Sequence, residues 1–136
     1  MSKQYRRYTA GTGKHRAAII ITNSNIDAIQ ISKLSYEDTV VLEMIYEGMS
    51  FLAANMYFDI DDQIQNNLKE MNKLVRFAKE GRILIAVHTN ARSKPWQDAK
   101  TNARGTKLEE YLVSRHLHIM RNAIGLNSST AEGRVI

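Results

Sequence analysis

Two β-rich runs, Thr39–Tyr46 (TVVLEMIY) and Ser50–Phe58 (SFLAANMYF), flank Glu47-Gly48 at hairpin spacing. β-Branched and aromatic residues suit a pleated, half-buried surface, and a glycine in so short a connection supplies the positive φ that tight hairpin turns need. Ahead of the hairpin, Arg16–Asn23 (RAAIIITN) is a continuous apolar run that predicts a buried strand. Ile26–Ser32 (IDAIQIS) alternates like a half-buried strand, with a helix as the alternative. Behind it, Asp61 and Asp62 lead into Ile64, Leu68, Met71, Leu74, Val75, Phe77 and Ala78. Their three-and-four spacing predicts an amphipathic helix over 61–80, ended by Gly81.

Further strand and helix signals follow. Ile83–Val87 (ILIAV) is a second continuous apolar run, expected as a central strand with both faces covered. His88–Gly105 has no periodicity, so it is expected as a long loop, and loops of that length are usually functional or disordered. Thr106–His116 carries Leu108, Tyr111 and Leu112 on one helical face, with Asn102 or Thr106 as candidate cap, and Leu117–Met120 would be a short strand. Strands followed by β-α-β elements describe one mixed α/β unit without internal repeats. From Arg121 the apolar pattern gives way to Asn, Ser, Thr, Gly and Ala, so 121–136 is expected as a disordered tail.

Composition narrows the class. The 136 residues are 43% hydrophobic and 24% charged, which suits one globular domain. The absence of cysteine excludes a disulfide scaffold and thiolate metal sites, and no apolar run reaches the ~20 residues of a membrane span. An N-terminus without an apolar stretch lacks the mark of a secretory signal, so the expectation is a soluble, intracellular chain with no membrane role. The net charge of +5 is unevenly placed. Lys3, Arg6, Arg7, Lys14 and Arg16 face no acid in 1–16, residues 17–80 hold five bases against ten acids, and 81–136 hold nine against four. Residues 1–13 read as a basic flexible arm, solubilising or drawn to nucleic acid.

Three stretches together carry a family resemblance: Ala54-Asn55-Met56-Tyr57-Phe58, ILIAVHTNARSKPW over 83–96, and TNARGTKLEEYLVSRHLHIM over 101–120. In order and spacing from Lys14 to Met120 the chain resembles the endonuclease domain of non-LTR retrotransposons, within the endonuclease/exonuclease/phosphatase superfamily. The resemblance implies an α/β fold in which two packed mixed sheets form a four-layer sandwich. It also implies an Mg²⁺-dependent nick in one strand of DNA, which primes reverse transcription, and hence a nuclear location where that role is kept. Oxygen ligands suit a hard cation, and phosphoryl transfer is mostly positioning and charge stabilisation.

Carried over by residue, the resemblance makes Asn90 the asparagine that orients phosphate and nucleophile, and Tyr57 the tyrosine that donates to the phosphate. The family pattern Gly-Asp-x-Asn-Ala corresponds to Val87-His88-Thr89-Asn90-Ala91, so His88 stands at the aspartate position. An imidazole offers one nitrogen in a fixed direction and cannot replace a carboxylate at an oxygen-rich Mg²⁺ site. Loss of a positioned acid–base group costs on the order of 10²–10⁴ in rate. The family's metal-binding Glu precedes the RAAII segment, and its Ser-Asp-His motif follows Met120; neither occurs here. The expectation is therefore a partial domain over 14–120, a mixed sheet with two helices, inactive or nearly so. No cofactor is assigned to this chain itself, and a sheet face without its partner would allow self-association. The tail RNAIGLNSSTAEGRVI departs from the family continuation, whereas a shifted reading frame can restore it; a frameshift would account for the tail.

The basic loop holds Arg92, Lys94, Lys100, Arg104 and Lys107 around Trp96, a mixture suited to phosphate contact and base stacking. The alternative function is accordingly a non-catalytic nucleic-acid-binding module. On residue type alone, Asn90 would be a turn or cap residue, Tyr57 a core aromatic, His88 a packed strand-end histidine, and Trp96 a loop anchor. His116 and His118 would share a strand face without a third metal ligand. Gly11-Thr12-Gly13-Lys14 lacks the spacing of a phosphate loop and is better taken as flexible.

Overall fold

The computed structural model describes residues 5–79, 81–90, 102–120 and 134–135. The central hairpin forms as its sequence demands. Strand β4 (Thr39–Tyr46) pairs antiparallel with β5 (Met49–Tyr57), and Tyr46 sits opposite Met49 across a two-residue turn. Glu47 and Gly48 both have positive φ, +50° and +77°, the backbone of a turn whose twist matches that of the strands it joins.

Around the hairpin a mixed sheet grows in the order β3-β4-β5-β6-β7. β3 (Asp27–Gln30) is antiparallel to β4, β6 (Ile83–His88) runs parallel to β5, and β7 (Arg134–Val135) is antiparallel to β6. The parallel step needs a crossover, supplied by α1 (Ile64–Ala78). Strands β1 (Arg6–Tyr8) and β2 (Ile19–Ile21) form a separate two-stranded antiparallel sheet.

Strand alternation sorts the core into two layers. Val41, Leu52, Ala54, Met56, Ile85 and Val87 pack against Ile64, Met71 and Leu74 of α1 and Leu108 and Leu112 of α2 (Ala103–Ser114). Val40, Leu42, Met44 and Ala53 face the other way and meet Ala17 and Ile21, with Tyr8 and Ile19 alongside. The result is helices, five-stranded sheet and two-stranded sheet in three layers, an α/β arrangement.

Helix ends follow local chemistry. Asn102 caps α2, its side chain accepting from the Gly105 N–H at 2.8 Å. At the other end of α1, Lys79 turns out of the helix with φ +54°, and Gly81 donates its N–H to the Ala78 carbonyl. A Cβ at Gly81 would lie 2.8 Å from that carbonyl oxygen, so only glycine fits.

Several expectations need correction. α2 begins at Ala103, so the stretch expected as loop to Gly105 gives up its last three residues to the helix. Residues 117–120 form no strand: His116 takes φ +56°, and Leu117 and Ile119 pack on the helical layer from an irregular segment. The histidines at 116 and 118 consequently share no strand face. Among the described residues β6 is covered on one face, since the β1–β2 pair packs over β4 and β5, and Leu84 remains 38% exposed. Strand β2 buries Ile21 but leaves Ile20 56% exposed, so that run is covered on one side. Arg6–Tyr8, inside the stretch expected as an arm, and Arg134–Val135, inside the expected tail, are paired strands. The frameshift expectation concerns residues that otherwise lie outside those described.

Candidate functional site

Tyr57 ends β5 and His88 ends β6, and the parallel register sets them opposite each other. Their rings meet edge to face, centroids 5.0 Å apart. Two residues on, the Asn90 Nδ2 donates to the Phe58 carbonyl at 2.7 Å, and its Oδ1 lies 3.0 Å from His88 Nε2. The first bond orients the amide, so in the second Nε2 is the donor to Oδ1. Asn90 has φ +49°, a left-handed turn that asparagine tolerates, and this bend returns its side chain to the strand ends. The three residues named from the sequence thus form one contiguous cluster at the carboxyl ends of two parallel strands, where open α/β sheets commonly bind ligands.

Arg16 joins this cluster, although nothing in the sequence marked it as more than part of a basic run. Its guanidinium carbon lies 4.7 Å from the Tyr57 ring centre. Nε and Nη2 donate to the two carboxylate oxygens of Asp38 at 2.6 and 2.5 Å, and Nη1 donates to Asp59 Oδ2 at 2.8 Å. The Asp61 N–H and Arg16 together hold the Asp59 carboxyl below its usual range, and the paired carboxylates raise the guanidinium pKa further. The contacts span 22 and 43 residues of chain, a separation no local motif reveals.

Beside Tyr57 lies a cleft of about 390 Å³ whose wall includes Tyr36, Asp38, Asp59, Asp62 and Glu70. Burial pushes the Tyr36 phenol up. Among the described residues no three His, Asp or Glu side chains converge as a metal-holding group.

The remaining candidates divide. Arg104 donates to the carbonyls of Asp62, Asp59 and Thr89 at 2.6, 3.4 and 3.4 Å, bracing the turn after β5 against the end of β6. Arg92, Lys94, Trp96 and Lys100 lie outside the described residues. The Gly11–Gly13 turn wraps a carboxylate: Gly13 N–H donates to Glu37 Oε1 at 3.1 Å, and a Cβ on Gly11 would fall 2.3 Å from the Glu37 carboxyl carbon. Backbone N–H groups, its own and that of Gly13, hold the Glu37 carboxyl below its usual range.

Residues 51–134, more than half of the chain, match the family described as endonuclease-reverse transcriptase. The chain belongs to that family. No curated protein matches it. Among solved structures it is similar to the endonuclease domain of TRAS1, a telomere-specific non-LTR retrotransposon, with a TM-score of 0.80 and 24% identity over 88% of this chain and 56% of that one. It is also similar in fold to D. rerio TDP2 complexed with single-strand DNA product, with a TM-score of 0.51 and 11% identity over 83% and 43% of the two chains. The chain therefore spans little more than half the length of the first of these structures. The matched segment of the endonuclease-reverse transcriptase family contains Tyr57, His88 and Asn90. No helix among the described residues is long and apolar enough to cross a membrane.

Proposed function

We propose that the chain carries the phosphate-orienting part of a retrotransposon endonuclease, with Tyr57 and Asn90 directed at a DNA phosphodiester. We further propose that it cuts DNA weakly or not at all, because His88 occupies the family's aspartate position. The observation that carries this reading is the Tyr57–His88–Asn90 cluster at the strand ends. The phenol can donate to a phosphate oxygen, and Asn90, with one amide N–H on Phe58, keeps a second to offer. His88 presents one ring nitrogen and already uses the other on Asn90. Among the described residues this donor set, a phenol, an imidazole and an amide, does not fit the family's Mg²⁺.

The test is purified chain with supercoiled plasmid in Mg²⁺ or Mn²⁺. Nicking is expected at background. Strong nicking that His88→Asp raises and Asn90→Ala abolishes would overturn the claim of inactivity. The rival reading, a nucleic-acid-binding module without chemistry, draws on the basic arm and on Arg92, Lys94, Trp96 and Lys100 of the basic loop, whose Arg104 is instead committed to backbone carbonyls. It expects steep loss of DNA affinity with salt, a dependence that neutralising Arg92, Lys94 and Lys100 reduces, with no contribution from Asn90.

A further inference from the structure

We infer that Arg16 is a positioning residue for Tyr57, holding the phenol at the strand ends while its charge is spent on Asp38 and Asp59 rather than on DNA. The inference rests on the proposal that Tyr57 contacts phosphate. A guanidinium has five N–H donors in one plane; here Nε, one N–H of Nη2 and one of Nη1 are committed to two carboxylates. That fork fixes the plane, and its closeness to the Tyr57 ring, at 4.7 Å from the centroid, gives the aromatic a cationic neighbour. The backbone supports the same placement. The Asp38 carbonyl accepts the Tyr57 N–H at 2.8 Å, and the Arg16 N–H donates to the Glu37 carbonyl at 3.0 Å. Asp38 therefore grips both the guanidinium and the main chain of the residue it touches. With two carboxylates on one guanidinium, the local charge is already negative, which makes Arg16 a poor phosphate ligand. A lysine has no planar fork and could not hold both acids and cover the ring.

The experiment uses the whole chain, a fluorescein-labelled duplex over a salt series, and NMR of ¹³C-labelled tyrosine. In Arg16→Lys the Tyr57 ring resonances are expected to move and duplex affinity to fall on the order of tenfold, the scale of one weakened hydrogen bond to a charged phosphate. Arg16→Gln should leave the salt slope as in the native chain. Adding Asp38→Asn to Arg16→Lys should cost no more than either change alone, as for residues acting as one unit. A salt slope lowered by about 0.9 in Arg16→Gln is the mark of a lost phosphate contact and overturns the inference, as do unmoved Tyr57 resonances. If Arg16→Gln does not fold, Asp59→Asn, which loosens the fork and leaves the arginine in place, must move the same resonances. Should Tyr57→Phe leave duplex affinity unchanged, the phosphate role of Tyr57 falls, and the Tyr57 resonances in Arg16→Lys still decide the positioning role.

Discussion

Asp59 is held from three directions: its carboxylate accepts the Asp61 N–H at 2.9 Å and the Arg16 Nη1–H, and its carbonyl accepts from Arg104. Its depressed pKa ties stability to pH, because the folded chain holds this proton less tightly than the unfolded chain. The contribution is complete above the ordinary carboxylate range and is lost as pH falls through that range towards the lower folded value; Glu37 acts in the same sense. Melting temperature should thus decline on the acid side, and Asp59→Asn should flatten that decline in scanning calorimetry; an unchanged acid limb would contradict the assignment. Of this neighbourhood, Tyr57, His88 and Asn90 were named through the family resemblance, Tyr57 and His88 closing β5 and β6 and Asn90 standing two residues beyond. Arg16, Asp38 and Asp59 were not, because an ion pair between residues 43 positions apart leaves no periodic trace.

Elements were readable where length and punctuation agree. The β4–β5 hairpin starts within one residue of its expected bounds, and Asn102, which caps α2, was one of two cap candidates beside Thr106. Leu108 is fully buried between α2 and the sheet, so Leu108→Ala should cost about 2–5 kcal/mol, whereas Asn102→Ala should cost about 1 kcal/mol by leaving the Gly105 N–H without its cap. Denaturant melts of the two variants check that order; equal losses would place α2 outside the cooperative core. The sequence misleads where runs are short. Leu117–Met120 alternates over only four residues, too few to tell a strand from an irregular segment that buries alternate side chains. Arg6-Arg7-Tyr8 forms a strand despite its charge because it pairs with Ile19–Ile21, a partner supplied by tertiary structure rather than by propensity.

At the scale of the molecule, the mixed α/β class followed from hydrophobic runs, but the three layers and which strand each layer covers did not. The coverage of β6 depends on where the β1–β2 pair comes to rest, and three-residue strands carry no such instruction. Charge behaves similarly. The sequence locates an acidic middle, and folding gathers Asp38, Asp59, Asp62 and Glu70 around one cleft beside Tyr57. Arg16 pairs with the first two and Lys73 with Glu70, leaving the cleft with more acid than base. A duplex approaching Tyr57 would meet repulsion on that flank, a field effect that weakens with added salt. Asp62→Asn with Glu70→Gln should accordingly speed association with duplex DNA at low salt, by stopped-flow fluorescence, and an unchanged rate would count against it. On the proposed role of Tyr57 the cleft would act as a fence: a polyanion could lie across the strand ends along few directions, its orientation chosen by what the protein repels as much as by what it holds.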